Sequence, residues 1–174
     1  MINQIGAYSL YICLFASAYL IFKSYISSKN FDKKIDQTFF ATLSVQLFMT
    51  ILSFFTLVFA FVFSDFSNIT VFNNSHTLKP LFYKISGTWG NHEGSLLLWL
   101  LVLTFFLFIF FVTSKKMSLR YRILTILFQE IIILGFLLFI LFTSNPFLNI
   151  LPIPNEGLGL NPILQDPALA IHPP

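Results

Sequence analysis

The sequence predicts an all-α integral membrane protein of about four spanning helices, with an outward glycine-rich loop and an outward proline-rich C-terminal segment. Three observations carry this. Of 174 residues, 56% are hydrophobic and 10% charged, with a mean hydropathy of +0.81, whereas soluble domains run near a quarter charged. Four stretches supply the roughly 20 apolar residues that a helix needs to cross a bilayer core about 30 Å thick. Basic residues gather at alternate junctions between those stretches. Such a composition excludes a soluble enzyme, a disordered tail and a nucleic-acid binder. The one cysteine, Cys13, excludes a disulfide framework, and without a CxxCH the chain is not itself a c-type cytochrome.

Residues 1–174 read as one membrane unit with spans at 5–26, 39–64, 95–114 and 123–144 and outward loops at 65–94 and 145–174. Backbone polar groups cannot stay unpaired in lipid, so the apolar runs are expected to be helices; an alternating strand period is absent. The first ends near Lys23, whose long side chain can snorkel to the headgroups. It lacks the charged start and small-residue cleavage site of a signal peptide and is too long for one, so it is read as retained. The second is free of charge throughout.

Charge orients the bundle. Lys23, Lys29, Lys33 and Lys34 flank the first junction, and Lys115, Lys116, Arg120 and Arg122 the third, which puts eight of the ten basic residues on one side. The positive-inside rule makes that side cytoplasmic, or the matrix in a mitochondrion, and turns the N-terminus outward. Topology thus accounts for the net charge of +3 without a nucleic-acid partner. Lys79 and Lys84 alone fall on the other side.

Both outward segments hold candidate site residues. Seven of the eight prolines lie between Pro146 and Pro174, interleaved with Phe147, Leu148, Ile150 and other apolar side chains. Proline bars a helix there, and so greasy a segment is expected to lie on the helix ends or on a partner. Of the three histidines, His76 reads as an ordinary loop residue. His92 lies in Gly87-Thr88-Trp89-Gly90-Asn91-His92-Glu93-Gly94-Ser95, where Glu93 favours the positive end of a helix dipole. Trp89 and Trp99 suit an interfacial belt. The three glycines there would let backbone approach a ligand or partner closely. His172 precedes Pro173-Pro174, which hold it extended; that suits either a metal-ligating imidazole or a simple entry into another helix. No HxxH or CxxC spacing marks a self-contained metal site. Glu130 is the one acid within a span, and is read as facing the bundle, protonated or hydrogen-bonded to Gln46, Ser44 or Thr50.

Trp89-Gly90-Asn91-His92-Glu93-Gly94-Ser95-Leu96-Leu97-Leu98-Trp99 closely resembles the TWGxHEGSLLLW signature of the CcmF family, the membrane subunit of the cytochrome c maturation haem lyase. A second block is similar to the family's FTSNPF, LNPLLQDP and HPP run: Phe142 to Phe147, Leu160 to Pro167, and Ile171-His172-Pro173-Pro174. The resemblance spans the chain and places it as the family's N-terminal portion.

The resemblance implies a role in cytochrome c-type biogenesis. Haem is accepted from a CcmE-like chaperone at the outer face. With CcmH-like and CcmI-like partners, its vinyl groups are attached to the CxxCH thiols of apocytochrome c. By position, His172 looks like the first of two histidines that flank the family's tryptophan-rich region and ligate the incoming haem iron. Trp89, Gly90, His92 and Glu93 are possible haem or partner contacts. The family's tryptophan-rich region, second flanking histidine and intramembrane ligands of haem b are absent before Pro174. The remainder of CcmF is therefore expected from the same gene or in trans, and the chain alone is expected to be inactive. A bacterial inner membrane is the expected location, with the mitochondrial inner membrane as the alternative. The competing functions are a paralogue devoted to one special cytochrome and a haem-free transporter or respiratory subunit.

Overall fold

The structure, a computed structural model, describes residues 2–29, 37–159 and 168. Four long helices dominate it: α1 (Ile2–Lys29), α2 (Gln37–Val62), α5 (His92–Thr113) and α6 (Leu119–Thr143). Each is long and apolar enough to cross a membrane, and the protein is an all-α, multi-pass membrane protein. Two short helices, α3 (Ile69–Asn74) and α4 (Leu81–Gly87), interrupt what the sequence presents as a loop at 65–94. The long helices start three to four residues before three of the expected spans and two before the fourth; Asn91 and Ser118 cap α5 and α6 ahead of their apolar runs.

Packing runs α1 to α2, α2 to α5, α5 to α6 and α6 back to α1, which closes a four-helix ring. One stripe of α1 is built from small residues: Gly6, Ser9, Cys13, Ala16, Ser17, Ser24 and Ser27 are all buried. Between lipid-embedded helices association rests on close packing and interhelical hydrogen bonds, and small residues permit both. Ser53 Oγ accordingly donates to the Gly6 carbonyl across the α1–α2 contact at 3.2 Å. Leu57, Leu97, Leu100, Ile126, Ile133 and Leu137 fill the interior. Phe15, Phe22, Phe106 and Phe128 lie exposed on the bundle's outer faces, as a lipid-facing surface requires.

Glu130 lies eleven residues into α6, about 16 Å along a helix rising 1.5 Å per residue, and is fully buried. Its Oε2 accepts from Ser17 Oγ at 2.7 Å and from Gln46 Nε2 at 3.0 Å, so one carboxyl oxygen joins α1, α2 and α6. Gln46 is thus a partner that the sequence named. Ser44 instead donates back to Phe40, and Thr50 to the Gln46 carbonyl, while Thr50 also shares a hydrogen bond with Cys13.

At the basic end, Arg122 closes the α5–α6 turn. Its Nε donates to Ser114 Oγ and its Nη2 to the Phe111 carbonyl, both at 3.0 Å, which satisfies an orphan carbonyl at the C-terminus of α5.

The Glu130 contacts make a stability prediction. Glu130→Gln keeps an acceptor and should lower the detergent thermal midpoint little. Glu130→Leu strands the Gln46 amide and leaves the Ser17 hydroxyl only its bond to the backbone carbonyl of that residue, and should cost about 1–2 kcal/mol, near the upper range of interhelical hydrogen bonds in membranes. Glu130→Lys should fail to pack at all. Equal midpoints for Gln and Leu would remove the three-helix link.

Candidate functional site

The end of the bundle opposite Arg122 carries a polar cap, assembled from the segments 63–95 and 145–159. The chain leaves α2 through Ser64, which has a left-handed φ of 54°. Asp65 N–H reaches back to the Ala60 carbonyl and Ser64 N–H to the Phe61 carbonyl, the paired bonds of a Schellman turn. Asp65 then accepts from the backbone and hydroxyl of Ser67.

Asn68 organises the next layer. Its Oδ1 accepts from Thr70 and Val71 N–H at the start of α3, the usual work of an N-cap asparagine. Its Nδ2 donates to Asn3 Oδ1 at 2.9 Å and to the Pro146 carbonyl at 2.8 Å. Asn3 in turn donates to Asn149 Oδ1 at 2.9 Å. Backbone bonds from Ile69 to Leu148 and from Ile150 to Ser67 pair the tail with this strand-like stretch. Phe147 is buried against Gly6, where a Cβ would strike its ring.

The proline-rich segment therefore lies on the helix ends as far as it is described. Farther along, Leu158 N–H donates to the Phe72 carbonyl and Gly159 N–H to the Ser75 carbonyl. Glu156 accepts from Thr77 N–H at 2.9 Å and from its hydroxyl at 2.5 Å. Its Oε2 lies 3.9 Å from His76 Nε2. The Thr77 hydroxyl and N–H chiefly hold the Glu156 carboxyl down to about 2, from an ordinary 4.5.

The tryptophan–glycine segment is equally built. Asn91 caps α5, accepting from Gly94 N–H at 2.8 Å, while its Nδ2 donates to the Gly87 carbonyl at 2.7 Å and to that of Thr88 at 3.2 Å. This amide fastens the end of α4 to the start of α5. Gly94 is required by the same closure, since a Cβ there would overlap the Thr88 carbonyl. The close backbone approach at Gly94 is thus internal to the chain.

Trp89 is half-buried against the core. Glu93 stands in the first turn of α5, at the positive end of the dipole. His92, the first residue of α5, is exposed; its Nδ1 shares a hydrogen bond with Ser144 Oγ at 3.2 Å, and its ring meets the edge of Phe139. The structure thereby brings Trp89, Gly90, His92 and Glu93 to one rim. Below His92, Leu96, Gly135, Phe136 and Phe139 line an open apolar groove of about 350 Å³. His172 lies outside the described residues. Among the described residues no group of three histidine, cysteine or acidic side chains could hold a metal ion.

What the sequence reading passed over is the set of asparagines. Asn3, Asn68, Asn91 and Asn149 have their side chains committed within the cap. Asn68 and Asn91 each precede a helix start, which is the signal that could have marked them.

Two tests follow from this geometry. Gly94→Ala should destabilise by roughly 1–3 kcal/mol, as overpacking does, because the colliding partner is backbone; an unchanged thermal midpoint would contradict the closure. For Glu156, a folded pKa below the ordinary one means the tail tether is intact above about 4.5 and is lost as pH falls towards about 2. The protection of the Thr77 amide, its exchange relative to the intrinsic rate at each pH, should fall over that window, and Glu156→Gln should reproduce the lower protection at neutral pH.

Comparison with known proteins places these features in a family. Residues 89–174 match the family model described as "Cytochrome C assembly protein". The chain is 42% identical, over its full length, to the cytochrome c-type biogenesis protein CycK of Rhizobium meliloti, and spans 26% of that relative. It is 47% identical over 130 residues to CcmF of Escherichia coli, covering 74% of this chain and 20% of the relative. NrfE of Haemophilus influenzae is 34% identical over the whole chain, which spans 27% of it. Among solved structures, a chain described as "Cytochrome c Heme Lyase CcmF" superposes with a TM-score of 0.72 at 20% identity, over 85% of this chain and 25% of that one, a likeness of fold. The chain, spanning about a quarter of its relatives' length, belongs to the CcmF-like family of cytochrome c-type biogenesis proteins.

Proposed function

We propose that the chain is the membrane scaffold and outer rim of a haem lyase, which handles haem at the outer face of a bacterial inner membrane and helps attach it to the CxxCH of apocytochrome c. The observation that carries this reading is the cap. The segments on which the resemblance rests, 89–99 and the described start of the tail at 142–147, meet at one end of the bundle, where His92 reaches Ser144 and Asn68 holds the Pro146 carbonyl. Lys29, Lys115, Lys116 and Arg120 sit at the other end, and the positive-inside rule turns that end to the cytoplasm and the cap outward.

In this reading haem is cargo, delivered by a CcmE-like chaperone and consumed with CcmH-like and CcmI-like subunits. Each cysteine S–H adds across one haem vinyl group, sulfur to the ring-side carbon and hydrogen to the terminal one. The chain's own residues hold and orient. His172 is the candidate axial ligand, presented on the tail that Asn149 and Glu156 fasten to the cap. His92 has its Nδ1 turned to Ser144, which leaves Nε2 for haem or a partner. Trp89, Gly90 and Glu93 complete the rim. A resident haem b would take its ligands from the remainder of the protein, since the described parts of the spans offer no histidine beyond His92 at the mouth of α5.

A paralogue devoted to one cytochrome is the second reading; over the whole chain, identity is 37% to CcmF and 34% to NrfE of Haemophilus influenzae. The test is His172→Ala in the complete protein. Covalent c-type haem, read by haem staining, should disappear while membrane insertion is normal. Wild-type levels of holocytochrome would refute the ligand role.

A further inference from the structure

Two cations at the capped end are used neither by the bundle nor by the reading above. Lys79 Nζ donates to the Asn74 carbonyl at 2.9 Å, and Lys84 Nζ to Ser64 Oγ at 2.7 Å. Among the described residues neither has a carboxylate within ion-pair distance. The acids nearby are committed elsewhere: Asp65 to Ser67, and Glu156 to Thr77 and His76. Both lysines are half-buried, and a methyl group on Gly87 would sit 3.2 Å from the Lys79 ammonium. Burial, and after it the charge of Lys84, lowers Lys79 from 10.5 to about 8. Two like charges are thus held near each other, partly desolvated, against neutral oxygens.

The local backbone preserves this arrangement. Glycine would sit relaxed at the left-handed position after α2, yet Ser64 occupies it and its hydroxyl grips Lys84. In the chain, Leu78 precedes Lys79, and Leu81 and Phe82 lie between the two lysines; all three are exposed, at 87%, 58% and 48%. The foot of the tail is adjacent, since Asn74 holds Lys79 while Ser75, next in the chain, holds Gly159.

We infer that Lys79 and Lys84 anchor the two propionates of haem, with Leu78, Leu81 and Phe82 as the apolar ledge beside them. This assignment rests on the haem-handling reading. It deepens that reading by giving the cargo's anionic edge a fixed seat on the segment that also carries the tail. Two separate cations around an apolar ledge match one flat apolar body bearing two carboxylates. A single lipid phosphate would leave the second cation without a partner.

The experiment uses the complete protein in lipid nanodiscs and two fluorescent probes, zinc protoporphyrin IX and its dimethyl ester, which lacks the carboxylate charges. The wild type should bind the diacid about tenfold or more tightly than the diester, the scale of a charge-assisted hydrogen bond. Lys79→Met with Lys84→Met should abolish that preference by weakening the diacid alone. Lys79→Arg with Lys84→Arg should restore it, which separates loss of charge from loss of fold. An undiminished preference in the methionine variant overturns the anchor. So does a variant that sheds bound phosphatidylglycerol while both porphyrin affinities stay unchanged, because the ligand is then a lipid headgroup. If the wild type binds both probes equally, the anchor alone fails; if it binds neither, the haem-handling reading fails with it.

Discussion

The side chain of Asn68 is the joint on which the capped end depends. An amide offers two donors and an acceptor oxygen with two lone pairs, and here all four are taken. Two backbone N–H groups of α3, the side chain of Asn3 at the start of α1, and the Pro146 carbonyl after α6 meet on this one residue. It is fully buried, so water cannot replace a lost partner. Three segments distant in sequence are thereby held in one register, and the proline-rich tail leaves the bundle from a fixed point.

Lipid made the long helices legible. A spanning segment must satisfy its own backbone, so an apolar run of sufficient length has one outcome, and four such runs gave four helices. Their ends were less legible because hydropathy does not record capping. Asn91 starts α5 at His92, ahead of the apolar run from Ser95, which turns His92 from a loop residue into the first residue of a helix. Helices α3 and α4, of six and seven residues, are too short for a periodic pattern and exist because the cap packs around them. Glu130 shows the same division. Its partner Gln46 could be anticipated as a rare polar residue in an apolar run, whereas Ser17 is one of several serines on α1 and only packing selects it.

The two ends of the molecule solve different problems with different chemistry. The basic end closes a short turn with Arg122 on a carbonyl and a hydroxyl, and its remaining charges serve topology. The capped end is joined almost wholly by neutral amides, hydroxyls and backbone groups. Such groups give direction and register without a net field. Charge at that end is therefore informative where it does occur. Glu156 is held by hydrogen bonds from Thr77 and lies beside His76, while among the described residues Lys79 and Lys84 have only dipoles as partners.

That imbalance bears on how a scaffold could serve a cargo that must be released. A ligand fixed only through its metal can rotate about that bond, and a reaction at the opposite rim of a flat molecule needs rotation stopped. A second contact at the anionic edge stops it. Half-buried lysines held by a carbonyl and a hydroxyl can exchange those neutral partners for a carboxylate and return to them afterwards, so release leaves neither ammonium without a hydrogen-bond acceptor. The rigid amide joint of Asn68 and the exchangeable partners of Lys79 and Lys84 are thus complementary: the first keeps the rim in place through a cycle, and the second lets what is held there leave.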